Sequence, residues 1–277
     1  MRPDESRFLE KAVGAKRVSV RTAMYAVLLS WLMCAGAARA AEVPLVAAAS
    51  DLQYALVEVA SAFALATASP VKLSFGSSGN FARQIMQGAP YELFFSADEV
   101  YVQALAERKL SEDGGALYAV GRLALFVPRG SAVKADAQMR DLAAAAADGR
   151  LRRIAIANPE HAPYGRAARA ALMHEGLWEK LQARLVLGEN VSQTAQFAVT
   201  GSVEAALIAY SLAVSEAMKR AGSFALVPQE WHAPLRQRMV LLRGAGETAR
   251  RFYAFVQSAQ ARAVFERYGF SLPASMN

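Results

Sequence analysis

The chain has 277 residues, a single cysteine and a formal net charge of +7. Seven of the 31 basic and three of the 24 acidic residues lie in residues 1–40, so 24 basic and 21 acidic residues remain beyond it. That small positive balance, without a basic run or a basic and aromatic patch, argues against a nucleic-acid partner. Because Cys34 also lies in the leading segment, disulfides and thiol chemistry are excluded for residues 41–277.

The leading segment has the order of a secretory signal peptide. Basic residues dominate its start, an apolar run from Ala23 to Ala35 follows, and Ala38-Arg39-Ala40 offers an A-x-A cleavage site. The apolar run is too short for a membrane-spanning helix, and no later run reaches about eighteen apolar residues. We therefore predict a cleaved signal peptide over residues 1–40 and an exported protein that begins at Ala41.

From Val43 onward, short apolar runs alternate with longer helical stretches, which predicts an α/β protein. Strands are predicted near 43–48, 71–75, 91–96, 122–127, 153–157, 205–210, 223–227 and 237–242. Helices are predicted near 51–66, 79–88, 98–108, 164–176, 192–200, 211–220 and 246–268.

Three junctions between a predicted strand and the next helix are rich in small and hydroxyl residues: Ala48-Ala49-Ser50-Asp51, Gly76-Ser77-Ser78-Gly79-Asn80 and Pro163-Tyr164-Gly165. The first turn of a helix has unpaired N–H groups, and a serine there adds a hydroxyl donor. Such junctions converge where parallel strands end. The pattern favours an anion site, although simple helix capping would explain each serine taken alone.

Other chemistry lacks a pattern. The Gly-Ser-Ser-Gly segment at 76–79 has no P-loop lysine, so nucleotide binding is not predicted. His161, His174 and His232 lack metal-ligand spacing and are interpreted as surface or capping residues. Neither a cofactor nor a protein-held metal ion is expected.

Longer blocks run through the chain in a fixed order. They are Ala47-Ala48-Ala49-Ser50, Ser74-Phe75-Gly76-Ser77-Ser78, Phe81-Ala82-Arg83-Gln84-Ile85, Gly88-Ala89-Pro90, Leu93-Phe94-Phe95-Ser96-Ala97-Asp98, Ala157-Asn158-Pro159-Glu160-His161-Ala162-Pro163, Gly188-Glu189-Asn190-Val191, Ile208-Ala209-Tyr210 and Arg267-Tyr268-Gly269-Phe270. Together they closely resemble the periplasmic molybdate-binding protein family, whose members are substrate-binding components of ABC transporters. The likeness covers essentially the whole chain after the leading segment.

The resemblance implies a type II periplasmic-binding-protein fold, in which two α/β lobes close over a ligand in the cleft between them. It predicts crossings between the lobes near Arg122 and Trp231. The first lobe would comprise 41–121 and 231–277, and the second 122–230.

The resemblance also implies the ligand, molybdate or tungstate, with molybdenum present only as the oxyanion. Ser50 and Ser78 would supply hydroxyl and main-chain N–H donors from the first lobe. The main-chain N–H groups of Tyr164 and Val191 and the phenol of Tyr210 would supply donors from the second. The expected protein is a monomeric periplasmic binding protein, not an enzyme, that delivers the oxyanion to the membrane permease of an ABC transporter.

Three features depart from the family pattern. Tyr164 stands where some members have a small residue, and Ser211-Leu212 replaces a Gly-Ser pair. Asp51 follows Ser50 directly, where a neutral residue is common. We expect the Asp51 carboxylate to point outward from the first helical turn, where it interacts favourably with the helix dipole. If it faced the ligand, it could accept the proton of an anion such as hydrogen phosphate.

The sequence leaves other functions open. Within the binding class, sulfate, phosphate or a small organic anion is the alternative ligand. An enzyme on the same fold would use Asp51, Glu160 or His161 for acid-base work, but no activated nucleophile, metal set or cofactor motif supports it. An effector-sensing domain of a transcription regulator shares the fold, and the predicted signal peptide argues against it.

Overall fold

The computed structural model describes residues 43–273. The predicted signal peptide over 1–40 and its cleavage site lie outside the described residues. No helix within 43–273 has the length and apolar character needed to cross a membrane.

The described residues form ten strands in two five-stranded sheets. The strands are β1 (Leu45–Ala49), β2 (Lys72–Gly76), β3 (Leu93–Ser96), β4 (Ala116–Gly121), β5 (Leu123–Pro128), β6 (Ile154–Ala157), β7 (Leu185–Gly188), β8 (Ala205–Ala209), β9 (Gly222–Leu226) and β10 (Leu235–Leu241). Sheet I has the order β2-β1-β3-β10-β4, and sheet II has the order β7-β6-β8-β5-β9. In each sheet three strands are parallel, β1–β3 in sheet I and β6–β8 in sheet II, while β10 and β5 pair antiparallel to their neighbours.

Eleven helices accompany the described strands. They are α1 (Gln53–Thr67), α2 (Ser78–Met86), α3 (Glu99–Glu107), α4 (Arg140–Asp148), α5 (Pro163–His174), α6 (Trp178–Leu181), α7 (Val191–Val199), α8 (Tyr210–Ala213), α9 (Glu216–Ala221), α10 (Glu247–Val256) and α11 (Ala259–Arg267). Short 3-10 turns occupy Ser50–Leu52, Gln182–Arg184 and Gln229–Trp231. We call sheet I with α1–α3, α10 and α11 half I, and sheet II with α4–α9 half II.

Alternation along the strands places helices on both faces of sheet I. Phe95 packs with Phe252 of α10, their ring centroids 6.2 Å apart, in a cluster that α1 and α11 also join. Its neighbour Phe94 faces the opposite way and joins the cluster of Phe81 and Val102 from α2 and α3. Successive strand side chains point to opposite faces, so apolar residues at consecutive positions require a layer on each side.

The chain passes between the sheets at two places. β4 ends at Gly121 and β5 begins at Leu123, so Arg122 carries the chain from sheet I to sheet II. β9 ends at Leu226 and β10 begins at Leu235, which returns it. Hydrogen bonds join residues beyond the carboxyl ends of parallel strands in both sheets. These edges therefore face each other.

The eight predicted strands and the position of each predicted helix agree with this architecture, but several elements differ. Strands β4 and β7 and helices α4 and α6 were not predicted. The helices expected over 211–220 and 246–268 are each interrupted, at Ser215 and Ser258. Each serine hydroxyl accepts a hydrogen bond from the main chain three residues later and so begins a new helix.

Candidate functional site at the interface of the halves

Ser50 begins the turn that follows β1, and it joins the two halves. Its hydroxyl accepts a hydrogen bond of 3.3 Å from the N–H of Ser192, while its carbonyl accepts one of 2.9 Å from the Ser192 hydroxyl. Because Ser192 is the second residue of α7, these bonds bring Val191 to Ser50. The Ser50 hydroxyl accepts here, so its hydrogen is available to another acceptor.

Ser78 begins α2 and is fully buried. Its hydroxyl accepts the N–H of Ala97 at 2.9 Å, which likewise leaves the hydroxyl hydrogen available. The N-caps are Ala49 for the turn of Ser50 and Ser77 for α2, and no side-chain capping bond forms at either. The alternative interpretation, that Ser50 and Ser78 serve only as helix caps, is therefore wrong.

The next residue, Gly79, allows half II to approach. Its N–H donates a hydrogen bond of 2.9 Å to the carbonyl oxygen of His161, and a Cβ on Gly79 would lie 2.6 Å from that same oxygen. Only glycine fits such a contact. Ser77 adds a second contact, since its hydroxyl lies 2.9 Å from Nδ1 of His161. The Gly-Ser-Ser-Gly segment thus docks against the loop that leads to Tyr164.

At three of the helix starts, the main-chain N–H groups of Ser78, Tyr164 and Val191 form no hydrogen bond within residues 43–273. Each belongs to the first turn of a helix of at least nine residues, where N–H groups lack a partner inside the helix and the helix dipole is positive. Each is buried. Unpaired donors in this setting suit an anion.

Tyr210 begins α8 at the end of β8. Its N–H donates to the carbonyl of Arg122 at 2.9 Å, and its ring packs against Gly269 and edge-on to Phe224, with centroids 5.7 Å apart. Within the described residues its phenol forms no hydrogen bond to the other four predicted site residues. Its neighbour Ser211 contacts half I, because the Ser211 hydroxyl donates a hydrogen bond of 2.7 Å to the main-chain carbonyl of Asp51.

Asp51 lies beside Ser50 in a buried polar network. Its Oδ2 accepts hydrogen bonds from the Tyr164 phenol at 3.1 Å and from Gln237 Nε2 at 2.5 Å. The Oε1 of Gln237 in turn accepts from the Tyr118 phenol at 2.8 Å. We call these four residues, Asp51, Tyr118, Tyr164 and Gln237, the central network. Since Tyr164 belongs to half II and the others to half I, it joins the halves beside the site.

The expectation that Asp51 points outward into solvent is wrong. Only 1% of the residue is exposed, and its Oδ1 is buried without a hydrogen-bond partner. The N-cap of the turn is Ala49, not Ser50, and Asp51 is directed inward against Tyr164 and Gln237. Burial raises the pKa of Asp51 to about 6, although the bonds from Gln237 and Tyr164 act in the opposite direction.

The histidine interpretation is also wrong in part. His161 and His232 are buried, with 8% and 7% exposed, because His161 contacts Ser77 across the interface and His232 lies where the chain returns to sheet I. His174 is exposed, as predicted, in the last turn of α5. No group of three or more His, Cys, Asp or Glu residues within 43–273 is arranged to hold a metal ion.

Contacts at the exposed rim also join the halves. Arg166 of α5 binds Asp98 at 2.5 Å and the Tyr101 hydroxyl at 2.6 Å. Asn80 of α2 binds Glu189 beyond β7. We call these contacts the rim pairs. Sequence reasoning missed them, as it missed Gln237 and Tyr118, because nothing in the local pattern indicates which polar residues meet across two sheets.

Two α/β halves with unused donors at their shared interface are typical of proteins that enclose a small solute. The profile of the bacterial extracellular solute-binding protein family matches residues 44–271. The chain belongs to this family.

Its similarity to named relatives is specific. It is 35% identical to the molybdate-binding protein ModA of Rhodobacter capsulatus, over 81% of this chain and 86% of the relative. It is 33% identical to ModA of Azotobacter vinelandii, over 87% of this chain and 94% of the relative. Each of these relatives is named as a binding protein. The resemblance to the molybdate-binding family is therefore confirmed.

The solved periplasmic molybdate-binding protein of Azotobacter vinelandii has 32% identity and a TM-score of 0.76, covering 83% of this chain and all of that one. The predicted type II periplasmic-binding-protein fold is confirmed. The sulfate-binding protein SubI of Mycobacterium tuberculosis has a TM-score of 0.67 at 15% identity, covering 83% of this chain and 86% of its own. That second likeness concerns the fold alone.

Proposed function

We propose that this chain is the periplasmic substrate-binding component of an ABC importer and that it captures molybdate, or the similar tungstate, between its halves. It acts as a monomer, carries out no catalysis, needs no cofactor and delivers the oxyanion to a membrane permease. The observation that carries the proposal is the set of neutral donors at the interface: two serine hydroxyls and three unpaired N–H groups.

This donor set suits a fully ionised oxyanion. Molybdate and tungstate carry no proton at neutral pH, so each of their oxygens is an acceptor. Hydrogen bonds to a charged group contribute about 1.5–3 kcal/mol each, and association entropy opposes them by about 4–15 kcal/mol. Five such donors give about 7.5–15 kcal/mol, so at the favourable ends of both ranges about 11 kcal/mol remains, which exceeds the roughly 8 kcal/mol of micromolar binding. The identity to two molybdate-binding relatives over more than four-fifths of this chain supports the choice of anion.

The site residues follow from this proposal. Ser50 and Ser78 bind the oxyanion from half I through hydroxyl and N–H groups. The N–H groups of Tyr164 and Val191 and the phenol of Tyr210 bind it from half II. The halves then act as lobes, 41–121 with 231–277 and 122–230, that close on the ligand because only the closed state engages both donor sets.

The test is titration calorimetry with molybdate, tungstate, sulfate and phosphate. Wild-type protein is expected to bind the first two most tightly. Ser50→Ala and Ser78→Ala each remove one hydroxyl donor, so the affinity is expected to fall roughly tenfold to a hundredfold. Ser61→Ala is the matched control, because Ser61 is exposed on α1 and its hydroxyl binds only the carbonyl of Val57. Folded variants of both site serines that bind as tightly as Ser61→Ala would refute the assigned site.

Hydrogen phosphate is the second candidate ligand, and one observation favours it. The buried Oδ1 of Asp51 has no partner and could accept the proton that hydrogen phosphate carries. Phosphate binding that is abolished in Asp51→Asn, together with weak molybdate binding, would establish this alternative.

A further inference from the structure

Asp51 is an unusual group to find beside an oxyanion site. Its Oδ2 has two donors, but its Oδ1 has no hydrogen-bond partner and the residue is almost completely buried. No Lys, Arg or His within residues 43–273 forms an ion pair with it. A buried carboxylate without a cation is unfavourable when ionised.

The groups that face Asp51 do not neutralise it. The Tyr164 phenol from α5 and the Gln237 amide from β10 donate to the carboxylate. The Ser211 hydroxyl from α8 donates to the main-chain carbonyl of Asp51. Strand β4 presents the Tyr118 phenol behind Gln237. Burial and the negative charge of Asp51 raise the pKa of both Tyr118 and Tyr164 well above the ordinary value, so both phenols stay neutral.

The carboxylate is also tied directly to the donors of the proposed site. Ser50 precedes it in the chain, and Tyr164 connects it to the site from the other half. The Tyr164 phenol binds Asp51, while the N–H of the same residue is one of the three unpaired groups. An anion held by Ser50 and Tyr164 therefore raises the energy of the ionised carboxylate, because like charges repel strongly where water is excluded.

Protonation would relieve this repulsion without disturbing the network. Both side-chain donors to the carboxylate use Oδ2, so a proton on Oδ1 leaves those hydrogen bonds intact. We propose that Asp51 takes up one proton from solvent, on Oδ1, each time the site captures a divalent oxyanion. Capture is then coupled to proton uptake, and a rise in pH favours release. This inference rests on the proposed function, because it needs an anion at Ser50 and Tyr164.

Burial already raises the pKa of Asp51 to about 6. The free protein is therefore mostly ionised at this position at pH 7.5, and the bound anion raises the pKa further. Linkage then requires the Kd for molybdate to increase with pH between pH 7 and 8, and the increase reaches its limit of about tenfold per pH unit when each capture takes up one whole proton.

The experiment is calorimetric titration of the wild-type protein with sodium molybdate at pH 7.5, in buffers of different ionisation enthalpy. The slope of the observed enthalpy against the ionisation enthalpy gives the number of protons taken up. We expect about one proton in wild type and close to none in Asp51→Asn. The Kd of Asp51→Asn is expected to stay constant between pH 7 and 8.

His161→Gln is the control for a second ionisable side chain at the same interface, and it is expected to retain the uptake of about one proton. Binding of molybdate by wild type without proton uptake, and with a Kd independent of pH, would overturn the inference and leave the proposed function intact. Uptake that persists in Asp51→Asn, or that disappears in His161→Gln, would assign the proton elsewhere. Absence of binding of every oxyanion by wild type would instead refute the proposed function, and the inference with it.

Discussion

The two halves meet through two sets of contacts that differ in their surroundings. The central network is buried, with Tyr164 2% and Gln237 0% exposed. The rim pairs are partly solvated, with 38% of the Arg166 side chain and 26% of the Asp98 side chain exposed. Hydrogen bonds in a water-excluded site are strengthened and their loss leaves unsatisfied groups, whereas exposed ion pairs contribute little. Formal charge at an interface is therefore a poor guide to which contacts hold it closed.

The largest expected loss of stability comes from adding a methyl group at Gly121, which packs directly against the central network. A Cβ on Gly121 would lie 2.3 Å from the Tyr164 hydroxyl and 2.7 Å from Gln237 Nε2. Gly121→Ala must displace both, so we expect a loss of about 3 kcal/mol in the free energy of unfolding. Gly114→Ala is the control, because its Cβ would meet nothing within 4 Å. Urea denaturation that gives equal midpoints for the two variants would contradict the predicted packing.

The second prediction concerns the charge of the central network. The raised pKa of Asp51, about 6 against 3.8, means that the folded protein binds more protons than the unfolded chain between these pH values. The contribution of Asp51 to stability is therefore present below about pH 4 and declines as the pH rises to about 6. We expect the stability difference between Asp51→Asn and wild type to shift in favour of the variant by about 2–3 kcal/mol between pH 4 and pH 7.5.

Comparison with Asp51→Asn at each pH cancels the contribution of other groups. Several surface carboxyls have a lowered pKa, for example Asp141 beside Arg150 and Glu99 beside Arg236, and they destabilise the protein as the pH falls. Denaturation series that give a constant difference between variant and wild type across this range would show that Asp51 does not titrate as described.

Two further variants each remove one hydroxyl, one from the central network and one from the rim pairs. Tyr164→Phe takes one of two donors from the buried Oδ2 of Asp51, so we expect it to destabilise the unliganded protein by about 1–2 kcal/mol. Tyr101→Phe removes a hydroxyl from the rim, where water can replace it, and we expect less than about 0.5 kcal/mol. Thermal unfolding measured side by side checks the order, and an equal loss in both variants would contradict the distinction.

A smaller effect than that of Tyr164→Phe is expected at the rim ion pair. Arg166→Gln removes the contacts with Asp98 and with the Tyr101 hydroxyl but leaves the capping bond that the N–H of Val100 donates to Asp98. We expect the free energy of unfolding to fall by less than about 1 kcal/mol, and by still less at high salt. Lys219→Gln controls for the change in net charge, since its exposed ion pair lies within one helix. A loss above 2 kcal/mol that salt does not change would place this pair with the central network.

Much of the fold could be predicted from local pattern. The apolar runs gave the positions of eight strands, because a buried strand must be apolar on both faces. Strand β4 escaped detection because it is defined by its pairing with β10, a partner more than a hundred residues away. Capping serines cause the helix breaks at Ser215 and Ser258. In the sequence, however, their polar neighbours are the same as those of an exposed residue in the middle of a helix.

The site divides in the same way. The sequence by itself determined that small and hydroxyl residues follow the parallel strands. It could predict an anion site there because unpaired N–H groups at helix starts are a local property of the chain. The ordered blocks of residues determined the family. Only the tertiary structure decided that Asp51 is buried. Its partners come from α5 and β10, and no local pattern indicates that a phenol and an amide 113 and 186 residues away converge on one carboxylate. The charge state of the site depends on that convergence, because desolvation is a property of the packed surroundings and not of the residue itself.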